Sequence, residues 1–280
     1  MRHTKAESAI RGLVLLLLIA ASGSISFAQA PVRSAAVERG SQTAKGGFRN
    51  EDEIRDKFNK WREDEDAKAW LRTLGHDPSL IESVYAFKPH GDKADVVVTV
   101  KSIDGPTFRH GISIKLVSSP NGFNQIDKRW LRQYAKMWNI PSDVVAAMRL
   151  FVGEDPPNGK SRRPERMFLT ELEKEARENV VAFFTSNKQR IVEDLIRGEG
   201  ANKADFFMVA WKPGGEKSHI IVTSDEAVRF FSEGPVEVTR SGNLKIGRIT
   251  MQRKGGDGGR ESAKMLQFKL NPALLFSSSR

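Results

Sequence analysis

Asp95 opens an apolar run, Asp95-Val96-Val97-Val98-Thr99-Val100, and Ser113 and Lys115 follow beyond a Gly105-Pro106 turn. The valine-rich run is the pattern of a central strand, within an expected strand at 94–103. Residues 110–118, with Ile112, Ile114 and Leu116 in near alternation, read as its partner. Side chains alternate along a strand, so Ser113 and Lys115 share one face, and a hairpin brings that face beside Asp95. A strand-borne carboxylate is a hard oxygen ligand suited to magnesium. A metal held there polarises a phosphate and acidifies a water, while an ammonium orients that water or steadies the developing charge. The chemistry within reach is metal-assisted hydrolysis of a phosphodiester. The same residues also suit an ordinary β-hairpin with solvated polar groups at its edge.

Two further stretches carry groups that read nucleic acid. Phe123 follows a glycine among polar residues, and Asn124, Gln125 and Lys128 come directly after it. These are read as a loop, with amide and cationic donors that reach base edges or phosphates. Gln252, Arg253 and Lys254 precede a Gly-Gly-Asp-Gly-Gly turn. Arg and Lys pair with guanine O6 and N7, and Gln pairs with adenine or bridges. Glycines admit close backbone approach to a phosphate. The plainer readings are a loop aromatic folded onto the core and a basic turn on a solvated face. The five tryptophans, Trp61, Trp70, Trp130, Trp138 and Trp211, fall on apolar stripes and are expected in the core.

The elements that must position these groups are a mixture of helices and strands. A helix is expected over 50–74, where Asn50 caps a turn rich in acid that opposes the helix dipole. Strands are expected at 81–87, 205–212 and 218–223, and helices at 125–138, 142–152 and 224–232, with two more over 168–197 broken near Ser186-Asn187. The stretch 154–166 reads as an exposed loop. A β-meander over 235–239, 244–253 and 265–270 closes an α/β chain. The 280 residues carry 45 Lys and Arg against 35 Asp and Glu, a formal charge of +10. That excess favours a polyanionic partner, since each phosphate neutralised releases counterions. The chain has no cysteine, which excludes disulfides, thiol catalysis and cysteine-based zinc sites. Its five scattered histidines lack the paired spacing of a zinc site. Residues 1–28 read either as a secretory leader, with Arg2, Lys5 and Arg11 before a short apolar stretch, or as sequence ahead of a later start near Val37. Localisation follows that choice, exported to the periplasm or cytoplasmic. Residues 29–47 read as a flexible tether, 48–276 as one functional domain with no membrane segment in the mature form, and 277–280 as a tail.

Residues 111–131, GISIKLVSSPNGFNQIDKRWL, and 247–270, GRITMQRKGGDGGRESAKMLQFKL, resemble the MspI family of type II restriction endonucleases, within it the GCGC-cutting HinP type. GSQTAKGGFRNE near the start belongs to the same resemblance, which runs from about Gly40 to Phe276. It implies a PD-(D/E)xK nuclease fold, with a central mixed sheet flanked by helices. It implies double-stranded DNA as partner, Mg2+ as cofactor and GCGC as the site. Asp95 and Lys115 carry over as catalytic residues. Ser113 stands where the family has Gln or Asn, and its short hydroxyl is expected to reach a metal through water. Glu51 matches a family Asn-Glu pair and is a third candidate for the metal, or a first-turn acid balancing the helix dipole. Phe123 is implied as a wedge between base steps that kinks the duplex. A cognate DNA methyltransferase is expected alongside, and a monomer or weak dimer. Two other readings stand beside this one: a secreted nonspecific nuclease, and a sequence-specific DNA-binding protein whose catalytic centre has decayed.

Overall fold

The computed structural model describes residues 35–212, 218–256 and 259–278. The expected leader and the front of the expected tether lie outside these residues. From Ala35 on the tether is helical, because α1 runs over Ala35–Asn59. A helix nucleated in the strongly patterned segment from Asn50 extends backward at one hydrogen bond per residue, past three glycines. The expected helix over 50–74 is two helices. After α1 the chain turns at 60–64, and Asp64 caps α2 (Glu65–Thr73) by accepting from the Ala67 N–H at 2.9 Å.

Two five-stranded sheets follow. The first contains β1 (Ile81–Phe87), β2 (Val96–Ser102), β3 (Thr107–Val117), β5 (Phe206–Trp211) and β6 (Ser218–Thr223), in that order. It is mixed, with β3 and β5 parallel and the other neighbours antiparallel. The second has the order β4 (Asn124–Arg129), β10 (Leu266–Leu270), β9 (Ile249–Arg253), β8 (Leu244–Ile246) and β7 (Val236–Val238), all antiparallel. The first is the expected central mixed sheet, and the C-terminal meander pairs with β4 to make the second. Among the described residues, α3 (Leu131–Trp138), α4 (Ser142–Val152), α5 (Lys174–Ser186), α6 (Lys188–Ile196), α7 (Ser224–Ser232) and a short α8 (Leu274–Ser278) complete the fold.

Alternation along β2, β3 and β5 divides two cores. Val96, Val98, Val100, Ile112, Ile114 and Met208 pack with Phe58, Trp70 and Leu71 of α1 and α2. Val117, Phe207 and Val209 face the other way, into a larger core with α3 to α7 and the inner face of the second sheet. There Phe268 lies 5.2 Å from Tyr134 and 5.5 Å from Trp138, ring centre to ring centre. Trp61, Trp70 and Trp138 are buried, whereas Trp130 and Trp211 are only partly covered. The expected strand over 244–253 breaks at Gly247, whose φ is +57°. A Cβ there would stand 2.6 Å from the Phe231 carbonyl oxygen, so the turn demands glycine. Among the described residues no helix is long and apolar enough to cross a membrane.

Candidate active site and nucleic-acid interface

β2 and β3 form the expected hairpin, with Val96 opposite Ile112. The Asp95 N–H donates to the Ile112 carbonyl at 2.9 Å, which carries the pairing one residue beyond β2. Ile112 and Ile114 belong to the α1–α2 core, so alternation turns Ser113 and Lys115 to the opposite face, where Asp95 waits. One carboxylate oxygen of Asp95, Oδ2, accepts from Ile114 N at 2.6 Å, Lys115 Nζ at 3.1 Å and Ser113 Oγ at 3.3 Å. Lys115 Nζ also donates to the Ile114 carbonyl at 2.8 Å. Ser113 is 2% exposed. Behind the hairpin, β3 meets the chain leading into β5 so closely that a Cβ on Gly111 would stand 1.9 Å from the Lys203 carbonyl oxygen. Asp205 anchors that contact by accepting from Gly111 N at 2.9 Å and donating its own N–H to Gly111 O at 2.8 Å.

Asp95, Ser113 and Lys115 line a cavity of about 400 Å³, together with Lys93, Asp127, Arg129 and Asp194. Lys93 Nζ donates to the Ile126 carbonyl at 2.9 Å and lies 3.6 Å from Asp127 Oδ2. Burial pushes the Lys93 ammonium below its ordinary range, against the pull of Asp127. Asp127 also accepts from Tyr134 Oη at 2.5 Å and from Arg129 Nη2 at 3.2 Å. Sequence reasoning missed this cluster. Lys93 stands two residues before Asp95, and Asp127 lies inside the GFNQIDK motif. Both signals were in view, but their meeting depends on the fold.

Glu51, on α1, pairs with Lys88 at 2.9 Å. Burial raises its carboxyl above the usual range and the charge of Asp95 adds to this, while Lys88 and Lys115 oppose the rise. Glu51 therefore shares the electrostatic field of the hairpin without a bond to Asp95 among the described residues. No group of three or more His, Asp or Glu gathers around one point among the described residues. The donor set nonetheless suits magnesium, which takes oxygen ligands and is commonly held by one or two carboxylates with waters and substrate phosphates completing the shell. All three hydrogen bonds to Asp95 fall on Oδ2, which leaves Oδ1 to a cation.

The expected reading loop is mostly a strand. Phe123 precedes β4 and is 59% exposed, but Asn124, Gln125 and Lys128 are in the strand, and the expected helix from 125 begins only at Leu131. Sheet pairing with β10 overrides the local pattern, through a bulge between Phe268 and Lys269. The second sheet then has two unlike faces. Leu244, Ile246, Ile249, Met251, Leu266 and Phe268 point into the core. On the outer face, Lys128 is opposite Gln267, and Gln267 is opposite Gln252, while Gln125 is opposite Lys269. The structure thus brings the two expected reading stretches onto one surface. It does not bring Arg253 there. Arg253 alternates to the inner side, 3.7 Å from Glu165, with its Nε buried without a partner among the described residues. Lys254 follows β9, its N–H donating to Met265 O at 2.8 Å, and Gly255 and Gly256 turn the chain at φ +63° and +60°.

The family model of the R.HinP1I restriction endonuclease matches residues 74–276. No curated protein matches the chain. Among solved structures, restriction endonuclease MspI in complex with its cognate DNA is similar at a TM-score of 0.59 and 14% identity, covering 83% of this chain and 92% of that one. At that identity the likeness speaks to the fold, a mixed α/β architecture of the PD-(D/E)xK type.

Proposed function

This chain belongs to the R.HinP1I restriction endonuclease family and is a type II restriction endonuclease, and on that premise we propose that it cuts double-stranded DNA at GCGC with magnesium held at Asp95. The observation that carries the assignment of the centre is the convergence of Ser113, Lys115 and the Ile114 N–H on one oxygen of Asp95, at the wall of a cavity that β4 also lines. In this reading Asp95 would hold the cation, with Ser113 reaching it through water and Glu51 assisting from α1. When bound, magnesium polarises the scissile phosphate and lowers the pKa of a water. Lys115, fixed by Asp95 Oδ2 and Ile114 O, orients the attacking water and offsets charge that builds on the phosphoryl oxygens. A bond forms from water oxygen to phosphorus, the bond from phosphorus to the leaving sugar oxygen breaks, and that oxygen takes up a proton. Ser113, at the same cavity wall, also steadies Asp95 through its 3.3 Å contact with Oδ2.

Phe123, exposed at the entry to β4, is read as the wedge, and Gln125, Lys128, Gln252 and Lys254 as the groups that meet the duplex. Asn124 contributes from the start of the same strand. Arg253, on the inner side, supports β9 rather than touching a base. MspI was crystallised with its cognate DNA, which supports a duplex partner for this chain. Digesting a plasmid with magnesium and mapping the ends tests the proposal: ends confined to GCGC support it, and random ends or cuts at another sequence reject the site. The leader carries its own test. Export predicts a native protein beginning at Gln29, and an internal start predicts one beginning near Val37.

A further inference from the structure

Gln267 played no part in the sequence reading, yet it lies at the centre of the row Lys128–Gln267–Gln252, spanning β4, β10 and β9. Its neighbours along β10, Leu266 and Phe268, are fully buried on the inner face, so alternation puts Gln267 outward. The residue as a whole is only 4% exposed, yet its side-chain amide is not among the described polar atoms shut off from solvent without a partner, so the end of the side chain reaches the surface of this face. An amide whose stem is packed while its end stays open to water is held in one place and exchanges that water for a ligand's polar groups at little cost. An apolar residue would serve a purely structural position there at least as well. The adjacent side chains of Lys128 and Gln252 are also without protein partners among the described residues, and Lys269 on the same face adds a second cation. A row of unengaged amides flanked by ammonium groups suits the edges and phosphates of a duplex.

We propose that Gln267 is a specificity-determining residue, forming the floor of the recognition face and hydrogen bonding a base edge between those met by Lys128 and Gln252. This rests on the reading of the second sheet's outer face as the DNA-reading surface. A glutamine amide offers a donor and an acceptor side by side, and in a GCGC site the donor meets guanine O6 or N7 while the acceptor meets the N4 amine of a cytosine. A phosphate contact from the same position would be sequence-blind, and the two are separable.

The test uses the full chain with calcium in place of magnesium, and GCGC duplex alongside duplexes carrying one substituted base pair in the site. Gln267→Leu removes both hydrogen-bonding groups, and Gln267→Glu retains the shape while removing the donor. The expected result for each variant is a roughly ten- to hundredfold loss of affinity for GCGC, with much less loss on one of the substituted duplexes. The slope of affinity against salt is expected to stay as in the wild type for Gln267→Leu, since no phosphate contact is lost and no charge is changed. If Gln267→Leu fails to fold, as read by thermal unfolding, the uncharged and nearly isosteric Gln267→Met carries the test, and the two overturning outcomes are read from the uncharged variants. Unchanged discrimination in a folded variant overturns the proposal, as does equal weakening on every duplex. A wild-type chain that discriminates no duplex overturns the reading of the surface itself, whatever the variants do.

Discussion

Lys93 and Asp127 stand 3.6 Å apart, ammonium to carboxylate, and join the segment that leads into Asp95 to the strand that carries Gln125 and Lys128. Both side chains are almost withdrawn from solvent, at 12% and 9% exposure. Breaking a buried pair by removing one partner leaves an uncompensated charge and typically costs about 3–5 kcal/mol. Asp127 also receives Tyr134 and Arg129, so Asp127→Ala strands more groups than Lys93→Met does. Denaturant unfolding is expected to show the larger loss for Asp127→Ala. An equal or reversed order would mean that the cluster is not organised around Asp127.

Removal of the carboxylate at the hairpin is expected to separate cutting from binding. Asp95→Ala abolishes cleavage of a GCGC plasmid while affinity for GCGC duplex in calcium remains largely intact, and Lys115→Ala does the same. Ser113→Ala is expected to lose about tenfold in rate, the lower end of losses for groups that act through a ligand. An Asp95→Ala enzyme cutting at the wild-type rate would remove the centre from this hairpin. Complete loss in Ser113→Ala would instead give the hydroxyl a direct place on the metal.

Phe123 offers a substitution that leaves the fold alone. At 59% exposure its side chain contributes little to packing, so Phe123→Ala is expected to unfold within about 0.5 kcal/mol of the wild type. As a wedge it would be indispensable for bending, since unstacking a base step costs about a few kcal/mol that only an inserted side chain offsets. Energy transfer between dyes at the two ends of a GCGC duplex reads the bend directly. A variant that bends the duplex as the wild type does excludes the wedge.

A pH dependence of stability is expected from His110, on the middle strand of the first sheet, and from His76, which packs beside it. His76 Nε2 and His110 Nε2 lie 2.7 Å apart, a contact that needs one ring to accept. Burial lowers both rings from the ordinary 6.5, and His76 lowers His110 further. The folded state therefore binds fewer protons than the unfolded chain as pH falls below about 6.5. This contribution to stability is complete above that pH and is lost progressively in more acid solution. Urea midpoints between pH 7.5 and 5 should fall for the wild type and fall less for His110→Phe, whose ring can keep the contacts with Phe108 and Phe206. Parallel curves for the two proteins would exclude the pair as the cause.

What could be read from sequence was whatever a local period determines. The alternation of the hairpin alone puts Ser113 and Lys115 on one face beside Asp95, and the apolar stripe from Ile54 to Leu74 announces helices packed on that sheet. The family motifs add the fold class, because matched stretches imply a matched framework. Pairing between distant segments has no such local trace. GFNQIDK reads as a loop running into a helix until β10, some 140 residues later, claims it as a strand through a bulge. The same pairing turns Gln267 outward between Lys128 and Gln252, and alternation along β9 turns Arg253 inward to Glu165. Lys93 and Asp127 become partners only because β4 passes beside the β2–β3 hairpin. A one-residue change of register would exchange the faces of each strand, so only the assembled sheet decides which polar groups meet the solvent and which meet the cavity.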